Sequence, residues 1–228
     1  MAGKKKNSNY VTEKTVQKKA IAAEKKRIAK RNKTLKAIII PVAAILLIAA
    51  VIFGIMMLGG AFDYVPEATD HVSIALSGYD TTLHVELYGK DAPESAKGFL
   101  ARVSSHYYDG KTVTAYIDGS LYFGDEAIVD TGIKGEFSAN GIDNKIPIKA
   151  GTLVMARGED YDSAYSRFFI VTEDTDISAL KGNYAPFGRV TGGMEVIEEI
   201  ISKLTPNSDG AIPEGEQPVI NSISTHVH

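Results

Sequence analysis

Few side chains in this sequence stand where chemistry would need them. The five histidines, at 71, 84, 106, 226 and 228, form no metal-ligand spacing on one element. The absence of cysteine excludes zinc fingers, thiol redox chemistry and cysteine nucleophiles. The stretch "EDYDSAYS", Glu159 to Ser166, has closely spaced acids but lacks the glycine and the twelfth-position glutamate of a calcium loop. No glycine-rich phosphate loop and no nucleophile elbow occur, so no metal and no cofactor are expected. What remains is "YYDGKTVTAYIDGSLYFGD", Tyr107 to Asp125, which opens like the entrance to an enzyme site yet carries no catalytic side chain at its centre.

The elements that would position such a segment differ sharply along the chain. Residues 1–36 hold 13 Lys and Arg against 2 acids, whereas residues 63–228 hold 12 against 26, so a net charge of −3 conceals two opposite ends. Between them Ala37 to Phe62 is a run of 26 residues without a charge, and about 20 apolar helical residues cross a hydrocarbon core. The run is expected to be a transmembrane helix, with Pro41 in its first turn, where a missing N–H costs little. A cleaved signal peptide fits poorly, because its basic start is short and its apolar core spans roughly 7 to 15 residues, although Gly59-Gly60-Ala61 would permit cleavage. Flanking Lys and Arg stay on the cytoplasmic side, which puts the acidic C-terminal part outside, on a bacterial cell surface for example. The basic tail, with Ile21, Ile28 and Leu35 seven apart, either sets this topology or lies as a helix on anionic lipid. It lacks the interleaved aromatics of a nucleic-acid binder.

Residues 63–70 read as a linker and 71–228 as the outer domain. "HVSIALSG" and "TLHVELYG" alternate as a β-hairpin. "DAPESAKGFLARVSS" places Ala96, Phe99, Leu100 and Val103 on one helical face, and "GGMEVIEEIISKL" does the same with Val196, Ile197, Ile200, Ile201 and Leu204. Two helices among many short strands point to a mainly β barrel or sandwich with helical plugs.

The order "VELYGKDAPESAKGFL", "YYDG", "GTLVMAR", "SRFFIVTED" and "LKGNYAPFGRVTGGMEVIEEI" resembles the cyclophilin family of peptidyl-prolyl cis-trans isomerases over residues 71 to about 224. The resemblance implies a closed eight-stranded antiparallel barrel with two capping helices and, on its outer face, a groove for a proline ring. In the family an arginine after the "YYDG"-like turn donates to the proline nitrogen as the X–Pro amide twists. Here the family's Phe-His-Arg falls on Val113, Thr114 and Ala115, so the arginine is lost. At the substrate-binding positions the resemblance places Ser120, Leu121, Phe123, Met155, Ala156, Phe169, Ala179, Leu180 and Tyr184. Ser120 replaces the pocket phenylalanine, Phe123 a backbone-gripping glutamine, and Ala179 a larger aromatic. Arg167, which replaces a glutamine, and Arg157 border the groove, and either could reach the vacated space.

Three readings follow. The first is a membrane-anchored isomerase acting on proline-containing segments of exported proteins, weakened or silenced at Ala115. The second is a non-catalytic module that binds proline peptides. The third is an envelope scaffold.

Overall fold

The computed structural model describes residues 4–58, 64–125, 132–173 and 178–226. The chain divides into two units, Met1–Asp63 and Tyr64–His228.

The first unit is one helix, α1 (Lys4–Leu58). The tail is thus helical and runs without a break into the uncharged segment, and Pro41 lies in the helix interior instead of its first turn. There it lacks the N–H that would bond the carbonyl of Ala37, which weakens the helix where charged sequence gives way to apolar. Among the described residues no helix is long and apolar enough to cross a membrane. The expected span 37–62 falls partly outside those residues: 59–62, with the cleavage-permissive glycines, are not described, nor are the side chains of 38, 40, 43, 44 and 55–58. Where side chains are described, Ile39, Val42, Ile45, Leu46, Leu47, Ile48, Val51, Ile52 and Phe53 are 49–66% exposed, all round the helix.

The second unit is an eight-stranded antiparallel sheet with two helices packed on it. In chain order it has β1 (Asp70–Leu76), β2 (Leu83–Leu87), α2 (Pro93–Ser104), β3 (Val113–Ile117), β4 (Ser120–Phe123), β5 (Thr152–Met155), β6 (Phe168–Val171), β7 (Ala185–Gly192), α3 (Met194–Lys203) and β8 (Ile220–His226), with a short 3-10 turn at Ser138–Asn140. The strand order is β3-β4-β6-β5-β7-β2-β1-β8. The expected hairpin is β1–β2, with Val72 opposite Val85. The first strand also pairs with the last, His71 standing opposite His226.

The barrel is open, not closed as the resemblance implies. β3 and β8 are its edges, and near them the chain is joined by the bridge of Thr112 to Val219 and by bonds such as the Val113 N–H to the Pro218 carbonyl and the Ile220 N–H to the Lys111 carbonyl. Pro218 has no N–H to extend a ladder. The rest of β3 is covered by the loop before β8, through the bridge of Ala115 to Ala211 and the bond from the Tyr116 N–H to the Gly210 carbonyl.

Inside the curve, strand residues such as Ile74, Leu87, Leu121, Phe123, Phe168 and Phe187 are fully buried, and α2 and α3 close over them with Phe99, Val103, Ile197 and Ile200. The start of α2 has Pro93 at its first turn and no side-chain cap of its own. Buried Glu136, from a distant loop, supplies one: its carboxylate accepts from the Glu94 N–H (2.9 Å), the Ser95 N–H (2.9 Å) and the Ser95 hydroxyl (2.6 Å), satisfying donors that a helix start leaves bare. Before α3, Gly193 adopts φ +85°, and a Cβ there would meet the Thr82 carbonyl oxygen at 2.4 Å, so the turn requires glycine. Residues 64–69, expected as linker, are tied to the unit: the Tyr64 hydroxyl bonds Asp91 at 2.8 Å, Lys90 pairs with Glu67 at 2.5 Å, and the Gly89 N–H donates to the Thr69 hydroxyl at 2.9 Å.

Candidate active site

The turn Tyr107–Gly110 fixes the site by binding the segment that leads into β6. Tyr108 is buried, its hydroxyl donates to the Ser166 carbonyl at 2.8 Å, and burial pushes its phenol pKa up. Tyr107 shares a hydrogen bond of 3.1 Å with the Ser166 hydroxyl. Phe123 stacks on Phe168 with centroids 5.0 Å apart. β3, β4 and the start of β6 are thereby locked together just before Arg167.

Between Val113 and Ala115 the register of β3 on β4 shifts: Val113 faces Phe123, but Ala115 faces Tyr122 and Ile117 faces Ser120. Such a bulge turns the strand by one residue. Val113 and Phe123 therefore point inward, whereas Ala115 shares the outer face with Tyr122, the cross-strand neighbour of Phe169. Leu121, Phe123 and Met155 are fully buried in the interior core and offer no surface to an outer groove, contrary to their assignment from the sequence. Ala156, Phe169, Leu180 and Tyr184 do converge, in a separate outer cluster with Ile148, Val154 and Val171. Ala179 is exposed on the neighbouring turn, and Ser120 is buried at the end of β4.

Sequence reasoning missed Tyr122, which packs against this cluster. Its ring packs on Phe169 at 4.9 Å and 32°, while Tyr184 meets Phe169 edge-on at 5.8 Å. Phe169 is 0% exposed as a result. Burial, and then the neighbouring Tyr184, push the Tyr122 phenol pKa up, with Arg167 opposing.

The two arginines differ. The Arg157 guanidinium donates to the carbonyls of Asn183 (2.9 Å) and Gly158 (2.8 Å) and lies about 5 Å from the rings of Tyr184, Tyr161 and Phe137, so it is committed to holding loops. The Arg167 guanidinium lies 4.9 Å over the Tyr122 ring and donates to the Thr114 hydroxyl at 3.4 Å. It thus lies against the residue before Ala115 and against Ala115's cross-strand partner. Ala115 itself is 3% exposed.

Among the described residues no group of three or more His, Asp or Glu could hold a metal ion. In the acidic stretch, Asp162 instead accepts from the Gly135 N–H (2.9 Å) and the Asn140 amide (2.8 Å), which hold its carboxyl below the usual range.

Comparison with known proteins agrees with this architecture. Residues 71–224 match the family model of the cyclophilin type peptidyl-prolyl cis-trans isomerase. The chain is 34% identical over 130 residues to a peptidyl-prolyl cis-trans isomerase of Acinetobacter baylyi, covering 54% of this chain and 68% of the relative. It is 33% identical over 144 residues to one of Streptomyces antibioticus, covering 60% and 87%. Among solved structures it resembles a cyclophilin type isomerase of Cryptosporidium parvum, crystallised in the presence of the dipeptide Ala-Pro, with a TM-score of 0.54, 22% identity, and 69% and 99% of the two chains covered. The protein belongs to the cyclophilin-type peptidyl-prolyl cis-trans isomerase family.

Proposed function

We propose that this protein is a weak X–Pro isomerase in which Arg167 does the work of the arginine missing at Ala115. The observation that carries the reading is the position of the Arg167 guanidinium, against Thr114 and over Tyr122, on the outer face that Ala115 shares. Rotation of an X–Pro amide faces a barrier of roughly 18–20 kcal/mol. It is eased by a donor that meets the proline nitrogen as conjugation breaks, because such a donor binds the twisted amide better than the planar one. A guanidinium approaching from β6 instead of β3 meets that nitrogen from a new direction, which accounts for weak catalysis. The Ala-Pro dipeptide used with the Cryptosporidium relative supports a proline peptide as the ligand class.

A second reading, a non-catalytic proline-peptide module or envelope scaffold, is favoured by the complete burial of Phe169 beneath Tyr122. A protease-coupled isomerisation assay separates the two. Arg167→Ala lowers the catalysed rate by on the order of 10²–10³ if Arg167 is the donor. A rate that is already uncatalysed, together with saturable peptide binding, refutes the isomerase reading and leaves the module.

The substrates are proline-bearing segments of exported chains, met at a membrane that residues 37–62 cross, with the basic tail inside and the sheet unit outside. Support comes from the uncharged run, the charge asymmetry around it and the apolar exposure all round α1 from Ile39 to Phe53. Protease added to intact cells should then digest the sheet unit and spare the tail. Release of the whole chain by alkaline carbonate would refute the anchor.

A further inference from the structure

Away from the outer cluster, a cavity of about 430 Å³ opens on the faces of β2, β7 and the start of β5, within the range of about 300–1,000 Å³ typical of small-molecule sites. One wall is apolar, built from Ile146, Pro147 and Val190, and another is the docked segment Tyr64–Pro66. Its charges are Lys149, Arg189 and Glu86. Elsewhere in the unit Lys90, Lys111, Lys145 and Lys203 each pair with a carboxylate. Lys149 and Arg189 are half-buried, yet among the described residues neither makes an ion pair, even though Arg189 is the cross-strand partner of Glu86. Tyr88 lines the same cavity at 5% exposure, and its hydroxyl has no hydrogen-bond partner among the described residues. Burial, then Glu86, push that phenol's pKa up, so it remains a donor. The two half-buried cations and the Tyr88 hydroxyl thus leave their donors free to meet a ligand in the cavity.

We propose that this cavity binds a phosphate-bearing ligand, with the phosphate between Lys149 and Arg189 and the Tyr88 hydroxyl donating to it. Two cations and a donor match a dianion with several acceptor oxygens better than a carboxylate, and the guanidinium fork suits phosphate geometry. Glu86 leaves an acceptor for a hydroxyl on the ligand, and the apolar wall takes its body. A soluble phosphate ester and a phospholipid headgroup share this chemistry.

The test uses the full chain in zwitterionic micelles. Val65, 84% exposed at the cavity rim, is replaced by a single labelled cysteine, which is unique because the chain has none. Inorganic phosphate or glycerol phosphate should shift the label's fluorescence saturably, and acetate should not. Vesicles of phosphatidylglycerol should outdo phosphatidylcholine if the headgroup is the source, and match it if a soluble ester is. Arg189→Gln should weaken binding at least about tenfold, the loss of one charge-assisted contact. The milder Tyr88→Phe, which removes only a hydroxyl, should weaken it several-fold, and Lys97→Gln on α2 should leave it unchanged. The proposal is overturned if neither phosphate nor phosphatidylglycerol gives a saturable response, if acetate matches phosphate, or if Arg189→Gln and Tyr88→Phe both bind as the parent does.

Discussion

Truncating Tyr122 to alanine sets two effects of the outer cluster against each other. The substitution removes a ring that packs on Phe169 at 4.9 Å and carries the Arg167 guanidinium at the same distance. Replacing a fully buried aromatic residue by alanine costs about 3–5 kcal/mol. Tyr122 is only half-buried, so its loss should cost about 2–3 kcal/mol, including the aromatic pair and the cation–π contact. For a unit of this size that lowers Tm by roughly 4–12 °C. The same change uncovers Phe169 as a floor for a proline ring. Burying the three ring methylenes at about 0.8 kcal/mol each contributes roughly 2 kcal/mol, or about thirtyfold in Kd. Thermal unfolding by circular dichroism and titration with a fluorescent Ala-Pro peptide read the two effects separately. A variant that melts lower but binds the peptide no better would show that Tyr122 does not cover a proline site, and the reasoning from Phe169's burial would fall with it.

Two further predictions concern supports of the site. Glu136→Ala strips three hydrogen bonds from the start of α2 and should cost about 2–4 kcal/mol, read as a lower urea midpoint, while Glu136→Gln, which keeps one acceptor oxygen, should lose less; equal losses would mean that the carboxylate is not acting as a cap. Asp162 is held below the ordinary carboxylate value of about 4, first by the Gly135 N–H and then by the Asn140 amide. Its contribution is therefore present above that value and lost as pH falls through the lower folded one. Between about pH 5 and pH 2 the parent's melting temperature should fall more steeply than that of Asp162→Asn, and parallel curves would remove Asp162 from the account.

The hairpin and both helices of the sheet unit were legible because their patterns are local. Alternation in "HVSIALSG" became β1, and the spacing of Phe99 and Val103 became the buried face of α2. The site was legible only as a neighbourhood. Counting along the chain put Leu121 and Phe123 in the groove, but β4 pairs with β6 in unbroken register and turns both inward, while the bulge between Val113 and Ala115 moves the following residues of β3 to the other face. Ala115 is the residue that this slip brings outward, beside Tyr122. No local pattern in "VTAYIDGSLYF" marks a bulge, since its cause is pairing with β4 and with the distant loop at Ala211. Arg157 is held partly by its own neighbours, the Gly158 and Glu159 carbonyls and the Tyr161 ring, but the Phe137 and Tyr184 rings and the Asn183 carbonyl that complete its cage come from segments remote in sequence. The same holds for the open edge, where Pro218 stops a ladder that the resemblance would have closed.

The pairing of β1 with β8 also constrains when the unit can form. Ser73 and His226, 153 positions apart, are joined by a 2.6 Å hydrogen bond, so the ladder that flanks the first strand is made last as the chain emerges. Contacts of such long range slow folding, because the loop between them must close before they contribute. Until then β1 presents an unpaired edge open to other strands. A nascent or C-terminally clipped chain therefore carries an aggregation hazard that the finished unit hides.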